Sequence, residues 1–430
     1  MMTHDPSECI RGLQQILVSD KKKVAFLFGA GTSLAQKNND SLTVPAICTM
    51  TSKIEEELNK EAKYKTAIEQ IKSEFAGKEL KYDVEALLSN IEQKKEIIGG
   101  ETLNGLTSTN LDSLILEIKK QIRNIVSIHK KILSTDGLKN LIHVEFAEWI
   151  HRADRKYPIE VFTTNYDYLF ELGLEEKNIP YYDGFTGSYQ PFFNSDSVDD
   201  LCFLPKQTKL WKIHGSLGWH FDKESKKIWR KDSDSDDFLI YPSTLKYNDS
   251  KKQPYIALMD RLYNYLKEPD TVLITCGYAF GDEHINERIL TALNTNTKAH
   301  VIALYYDVIW QDRKKEGYAL TADSNLTKSA MNNRKLSVFG CRNAVIGGHY
   351  GKWKLKREPD NEDTININLY FDEDAPVSTD APKKEEKKGE EEWTGEGELI
   401  LPNFSKFVAF LQSMIFDNEL IGNNDGKYTN

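Results

Sequence analysis

"VAFLF" at residues 24–28 runs directly into "GAGTS" at residues 29–33, and this junction indicates the class of fold. The first five residues are all apolar, which is typical of a parallel strand buried on both faces. The glycines after it let backbone approach closely, and a helix starting there offers unpaired N–H groups to an anion. The junction therefore predicts the first strand and turn of a sheet that binds a phosphorylated ligand.

Further apolar runs follow along the chain, at 159–164, 209–213, 237–242, 271–276 and 300–306. A helical pattern over 282–295 separates the last two runs, and alternating strands and helices are typical of α/β proteins. Residues 50–150 have helical periodicity, with an apolar stripe over 111–133 and a helix starting near Asp83. The sequence thus predicts a doubly wound, mostly parallel, Rossmann-like sheet with a helical insertion subdomain.

The remainder of the chain divides by composition. Residues 1–350 are predicted to form the sheet domain, with the insertion at 50–150 inside it. Residues 351–398 are predicted to be a charged linker, because the run 372–397 has few apolar residues. Residues 399–430 contain an amphipathic helix within 401–415, which we expect to dock on the body or on a neighbour.

Composition limits the possible partners and compartments. The net charge of -10 over 430 residues disfavours non-specific binding to nucleic acid. The five cysteines include no C-x-x-C pair, which excludes a paired zinc knuckle and gives no disulfide framework. The N-terminus does not resemble a signal peptide, and no apolar run is long enough to span a membrane. We expect a cytoplasmic protein without direct nucleic-acid or membrane contacts.

Polar clusters follow four of the predicted strands. They are GAGTS after residue 28, TNYD after 163, HGS after 213 and CGYAFGD after 275. Because parallel α/β sheets bind ligands at the carboxyl ends of their strands, these clusters predict one binding crevice. A dehydrogenase fingerprint is incomplete, since Leu34 occupies the position of its third glycine.

The motifs GAGTS, TTNYD, KIHGS and GYAFGDEHIN, in this order, resemble the sirtuin superfamily and its bacterial NAD hydrolases of antiphage defence. The resemblance spans about residues 20–350. It implies a pyrophosphate loop, a pair that orients the nicotinamide ribose and water, a catalytic base and an adenosine-side loop. The resemblance makes Gly29, Ala30, Gly31, Thr32 and Ser33 the pyrophosphate loop, and Asn165 and Asp167 the pair that orients ribose and water. It makes His214 the catalytic base, and Gly277, Tyr278 and Phe280 the adenosine-side loop. Asp83 and Glu85 resemble a further family element with an unclear role.

The resemblance implies that NAD is a substrate, cleaved to nicotinamide and ADP-ribose without a metal. Asn165 holds the ribose and water, Asp167 stabilises positive charge on the ribose, and His214 accepts a proton. Nicotinamide leaves as a neutral molecule, so no general acid is needed. The chain departs from sirtuin deacylases because it lacks their four-cysteine zinc module and keeps only Pro45 of the segment over the nicotinamide.

Control by another chain is a further implication of the resemblance. A toxic antiphage effector must stay inactive until triggered, and we expect a homo-oligomer with a hexameric DNA-translocase-type ATPase as partner. Rival hypotheses are an NAD-dependent protein deacylase or ADP-ribosyltransferase, and a non-catalytic scaffold that binds NAD or ADP-ribose.

Every candidate residue also has a purely structural explanation. His214 suits a turn after a strand, Asn165 tolerates left-handed backbone, and Asp167 suits the N-cap of the next helix. Asp83 suits a helix cap better than a catalytic role. A helix start, with a ligand contact as the alternative, is expected for Asp282, His284 and Asn286.

Overall fold

The structure is a computed structural model, and it describes residues 2–78, 80, 82–153, 155–222, 224–231, 253–311, 314–360, 363–375, 377–378 and 391–415. The strand predicted at 237–242 lies outside these residues. The charged run is described only at its two ends.

Twenty strands occur within the described residues. They are β1 Thr3–His4, β2 Lys23–Phe28, β3 Glu160–Thr163, β4 Tyr181–Tyr182, β5 Phe185–Thr186, β6 Phe192–Phe193, β7 Thr208–Lys212, β8 Trp219–Phe221, β9 Ile228–Arg230, β10 Thr271–Cys276, β11 His300–Leu304, β12 Val308–Gln311, β13 Lys314–Tyr318, β14 Leu336–Phe339, β15 Asn343–Ile346, β16 His349–Trp353, β17 Phe371–Glu373, β18 Val377–Ser378, β19 Glu391–Glu392 and β20 Gly397–Leu399.

Fourteen α-helices occur in the same part of the chain. They are α1 Pro6–Val18, α2 Ala30–Ser33, α3 Ile47–Leu58, α4 Ala62–Gly77, α5 Val84–Ile97, α6 Ser108–Val126, α7 Ile128–Ser134, α8 Ile142–Arg152, α9 Leu169–Glu176, α10 Ser195–Asp199, α11 Tyr255–Lys267, α12 Glu283–Thr295, α13 Asn325–Asn332 and α14 Phe404–Gln412. Short 3₁₀ helices lie at Gly137–Asn140 and Ile367–Leu369.

Ten strands form one large sheet in the order β1-β16-β15-β14-β11-β10-β2-β3-β7-β4. Only the pairings of β14 with β15 and of β15 with β16 are antiparallel. Strand β2 shows why both faces are buried: Phe26 and Phe28 pack in one core, while Ala25 and Leu27 pack in the core on the opposite face. The predicted α/β class with a mostly parallel, doubly wound sheet is confirmed.

The helical insertion has a hydrophobic core of its own. Helices α3, α4, α5 and α6 share this core, and Leu217 from the loop after β7 reaches into it. Helix α8 belongs elsewhere, because Ile142, Phe146 and Trp149 pack in the core of the large sheet. The predicted insertion of 50–150 therefore includes one helix that covers the sheet.

The ends of the charged run differ from the flexible linker predicted for 351–398. Residues 371–373 pair with 397–399, and 377–378 pair with 391–392, in antiparallel ladders. Such short strands carry too few residues for a periodic pattern to be recognised. Helix α14 docks on the body, as one of the two predicted alternatives, and its Phe404 and Phe407 are buried.

Candidate functional site

Four neighbouring strands end at the same level of the sheet. β10, β2, β3 and β7 lie side by side, and their last residues Cys276, Phe28, Thr163 and Lys212 are paired in register. The pairing continues beyond the strands, since the N–H of Ile213 donates to Thr163 O at 2.8 Å. The four polar clusters that follow these strands therefore meet at one edge of the sheet.

Gly29 and Gly31 pack against the loop that follows β10. A Cβ on Gly29 would lie 2.5 Å from Gly277 O, and a Cβ on Gly31 would lie 2.7 Å from Gly277 Cα. The N–H of Gly31 donates to Gly277 O at 3.0 Å, so a phosphate would have to compete with this bond. The sequence predicted close approach to a ligand, whereas the structure shows that these glycines let two backbone loops touch.

The GAGTS turn is held together by the amide of Asn165. Its Nδ2 lies 3.1 Å from Gly29 O, 3.0 Å from Thr32 Oγ1 and 2.8 Å from Ser33 Oγ. Gly29 O can only accept, which fixes the orientation of the amide. No hydrogen bond from the described residues reaches the opposite atom, Oδ1 of Asn165.

The backbone of Asn165 decides between two explanations that its sequence context left open. Asn165 is not among the residues with positive φ, so tolerance of left-handed backbone does not account for this asparagine. Its side chain is nearly buried, at 7% exposure, beneath the turn that carries Thr32 and Ser33. An asparagine at this position is therefore explained by the hydrogen bonds of its Nδ2 and by a ligand that its Oδ1 can accept from.

Asp167 fills a structural position and a site position at once. Its Oδ1 accepts the N–H of Leu169, the first residue of α9, at 3.0 Å, although the N-cap position predicted for Asp167 is occupied by Tyr168. Its Oδ2 accepts the hydroxyl of Ser33 at 2.6 Å. Below it, Lys212 Nζ donates to Asp167 O and, at 2.7 Å, to Glu171 Oε1. A buried lysine therefore links the backbone of Asp167 to the carboxylate of Glu171.

The two hydroxyls predicted to donate to a pyrophosphate are engaged inside the protein. Thr32 Oγ1 donates to Gly29 O at 2.9 Å, and Ser33 donates to Asp167. The helix expected after the glycines is α2, and because it is a single turn its dipole is small. Ala30, which is exposed, is the residue of this turn that faces solvent most openly.

His214 lies within hydrogen-bond distance of a carboxylate that the sequence did not connect to it. Its Nε2 is 2.9 Å from Asp282 Oδ2, and the two side chains are 12% and 4% exposed. The other oxygen of Asp282 accepts the N–H groups of His284 and Ile285 at 3.0 and 3.4 Å. Asp282 is thus the N-cap of α12, as predicted, and also the partner of His214.

The loop between β10 and α12 is tied to its own helix. Tyr278 is buried, and its hydroxyl donates to Asp282 O at 3.3 Å and lies 3.0 Å from Asn286 Oδ1. Burial raises the pKa of Tyr278 well above its ordinary value, so the hydroxyl stays protonated. Asn286 Nδ2 in turn donates to Phe280 O at 2.8 Å. Tyr278 and Asn286 therefore hold this loop in shape, a role that the sequence did not predict.

A small cavity lies behind Phe280. Its volume is about 80 Å³, and its walls include Asn286, Leu290 and Leu326. Phe280 has φ of +55°, an uncommon conformation for an aromatic residue, and its ring lies 4.9 Å from that of Tyr278. The adenosine-side role of Gly277, Tyr278 and Phe280 stays a prediction.

The helical insertion reaches the same edge of the sheet. Asp83 Oδ1 accepts the N–H of Ala86 at 3.0 Å, which confirms the predicted helix cap. Burial raises the pKa of Tyr166 well above its ordinary value, and the nearby carboxylates of Glu85, Asp167 and Asp83 add to this. Asp83 and Glu85 are thus close to the loop that carries Asn165.

The described residues hold neither a metal-binding cluster nor a helix able to span a membrane. Within the part of the chain that the structure describes, no three His, Cys, Asp or Glu side chains cluster as a metal site. Among the same residues, no helix combines the length and apolarity that crossing a bilayer requires.

Residues 159–327 match the family model of the SIR2-like domain. The matched segment begins just before β3 and ends within α13, so it contains Asn165, Asp167, His214 and Asp282. The GAGTS turn precedes it, although the strand that carries this turn lies between β10 and β3. No curated protein matches the sequence of the chain.

Proposed function

We propose that the chain is an NAD⁺ glycohydrolase of the sirtuin-like family, whose members are typically NAD-dependent enzymes; the SIR2-like domain model matches residues 159–327. The reaction consumes water and yields nicotinamide, ADP-ribose and a proton. One observation carries the proposal: the register of four strand ends brings Asn165, Asp167, His214 and the GAGTS turn to one edge of the sheet.

The free acceptor of Asn165 suits a ribose hydroxyl or a water molecule. Because Nδ2 is occupied by the GAGTS turn, Oδ1 has a fixed direction before any ligand arrives. A fixed acceptor costs little reorganisation when charge develops on the ribose. Asn165 is therefore assigned the orientation of the ribose and of the attacking water.

The charges at this edge suit a cationic transition state. Cleavage of the N-glycosidic bond builds positive charge on the ribose, and the carboxylate of Asp167 lies under the turn that would hold it. The imidazole of His214 is assigned the role of accepting a proton from water or from a ribose hydroxyl. The leaving nicotinamide is neutral, and no second acid is required.

The groups that would contact the diphosphate are backbone rather than side chain. Thr32 and Ser33 use their hydroxyls internally, and Gly31 uses its N–H. The exposed Ala30 is then the residue of this turn whose backbone a phosphate can contact. We infer that phosphate affinity is modest and that the ribose end supplies much of the specificity.

The biological role and partners remain proposals that rest on the resemblance. We propose an effector of antiphage defence that depletes NAD, acts as a homo-oligomer and is triggered by a hexameric DNA-translocase-type ATPase. No metal is proposed to take part. Purified chain with and without lysate of phage-infected cells tests the need for a trigger.

Product analysis tests the proposed reaction. Purified protein is incubated with NAD⁺, alone and with lysate of phage-infected cells, and products are separated by chromatography. We expect nicotinamide and ADP-ribose in equal amounts, and neither from the variants His214→Ala and Asn165→Ala. Retained binding of NAD⁺ with no turnover under any condition would instead favour the scaffold. Release of nicotinamide only when an acyl-peptide or acceptor protein is added would favour a deacylase or a transferase.

A further inference from the structure

We propose that Asp282 positions His214 for catalysis and determines which of its two ring nitrogens carries the proton. The catalytic meaning of this inference rests on the proposed NAD⁺ glycohydrolase, but the proton position does not. Asp282 follows β10 and His214 follows β7, and two further strands of the sheet lie between these two. The loop after β10 therefore has to cross this edge of the sheet to reach the histidine.

The surroundings of Asp282 make it an acceptor toward His214. One oxygen accepts the backbone N–H groups of His284 and Ile285, and the other lies 2.9 Å from His214 Nε2. With the carboxylate ionised, only Nε2–H can complete this bond. In neutral His214 the lone pair then lies on Nδ1, so Nδ1 is the atom that accepts a proton in the reaction.

Asp282 is held in place by contacts that do not involve His214. Tyr278 donates to its carbonyl oxygen, and Asn286 Nδ2 donates to the carbonyl of Phe280 in the same loop. At the start of this loop, Gly277 is packed against the backbone of the GAGTS turn. Because the loop is fixed independently, Asp282 orients the imidazole and does not simply follow it. The arrangement is that of a histidine whose tautomer is set by a carboxylate.

A purely structural role is the competing explanation, because Asp282 also caps α12. Asparagine caps a helix about as well as aspartate does. The variant Asp282→Asn therefore keeps the cap and the volume, but it can present an N–H to Nε2. That contact would favour the tautomer with the proton on Nδ1. In this tautomer Nδ1 has no lone pair with which to accept a proton in the reaction.

The test compares Asp282→Asn with the full natural chain in two readouts. We expect kcat for NAD⁺ hydrolysis to fall by about 10²- to 10⁴-fold with KM nearly unchanged, as for loss of a correctly oriented base. Nitrogen-15 NMR of labelled histidine, assigned with His214→Ala, should show Nε2–H in the natural chain and Nδ1–H in the variant. Asp5→Asn is the matched control, because Asp5 caps α1 by accepting the N–H of Ser7 and lies on another part of the molecule.

The outcomes separate this inference from the proposed function. A natural chain that hydrolyses NAD⁺ neither alone nor with lysate of phage-infected cells, but carries Nε2–H that shifts in Asp282→Asn, would refute the hydrolase and support the positioning. Full turnover by Asp282→Asn, or Nδ1–H on His214 in the natural chain, would overturn the positioning. If Asp282→Asn fails to fold, the proton position in the natural chain still decides the question.

Discussion

The two ends of β3 and β7 carry buried polar groups of very different character. At the amino end, Arg261 donates from all three guanidinium nitrogens, to both oxygens of Glu160 and to two backbone carbonyls. Trp211 also donates to Glu160, at 2.7 Å. At the carboxyl end, Asn165 keeps an acceptor without a partner from the described residues, and His214 is tied through one nitrogen to Asp282. The first cluster is closed, and the second leaves groups for a ligand.

This contrast separates stability from chemistry along the same strands. Removing one partner of a buried ion pair leaves an uncompensated charge, which costs mainly folding free energy. Removing a group that contacts the substrate costs mainly transition-state stabilisation. Variants at the two ends should therefore change different measurements.

The largest effect is expected for His214→Ala. Loss of the base should lower kcat for NAD⁺ hydrolysis by about 10³-fold. We expect little change in melting temperature, because Asp282 keeps its backbone hydrogen bonds at the start of α12. The measurement is nicotinamide release, with the exposed His349→Ala as control. A large drop in melting temperature would mean that His214 mainly stabilises the fold, as Arg261 and Glu160 do.

Arg261→Met should act in the opposite way. Glu160 would lose its cation inside the sheet, and the free energy of unfolding should fall by about 3 kcal/mol while turnover per folded molecule is unchanged. Denaturant unfolding measures this. Arg288→Met is the matched control, since its pair with Asp260 is 41% and 36% exposed and should contribute under about 1 kcal/mol.

Asn165→Ala should affect both quantities. The GAGTS turn loses the donor that joins Gly29, Thr32 and Ser33, and the ribose loses its acceptor. We expect about 10²-fold lower kcat and a loss of stability of about 1–3 kcal/mol from the unsatisfied buried groups. The exposed Asn366→Ala should change neither. Loss of stability without loss of turnover would restrict Asn165 to a structural role.

The smallest effect concerns His143, which is buried beside Phe170 and Phe404. Neither of its ring nitrogens has a hydrogen-bond partner among the described residues, and burial lowers its pKa from 6.5 to about 4. Between these values the unfolded chain takes up a proton that the folded chain does not. The free energy of unfolding therefore falls as the pH is lowered from 6.5 towards 4. From pH 7.5 to pH 5 this amounts to about 2 kcal/mol.

His143→Leu should remove that part of the pH dependence. Unfolding by denaturant at pH 7.5 and at pH 5 gives the difference, and His151→Leu on the exposed face of the same helix is the control. An unchanged difference in His143→Leu would show that His143 is protonated in the folded state.

The sequence predicted the central strands well because each is a short run with an apolar centre between turn signals. It missed β14, β15 and β16, although Gly347 and Gly348 between two strand-like runs are a hairpin signal; both have positive φ in the structure. The partnership of His214 with Asp282 had no such signal. The two residues are 68 positions apart and no pattern of periodicity links them.

The polar clusters illustrate the same limit at the level of single residues. The sequence could predict that the clusters lie close together, because each follows a predicted parallel strand and the carboxyl ends of such strands share one edge of the sheet. The sequence could not predict the hydrogen-bond partners of these side chains, because the partners depend on contacts between loops that are distant in sequence. The sequence selected Gly29 and Gly31 as positions where backbone approaches closely to a ligand, and the structure shows both in contact with the backbone of Gly277.

Helix α14 gives the chain an order of assembly during synthesis. Phe404 and Phe407 lie 5.3 Å and 6.0 Å, ring to ring, from Phe28 and Phe26 of β2, and Cys276 donates to Pro402 O at 3.5 Å. The strand that leads into the GAGTS turn is made early, but its cover is translated more than 370 residues later. A nascent chain on the ribosome therefore holds the residues of its crevice long before it can bury the strands beneath them.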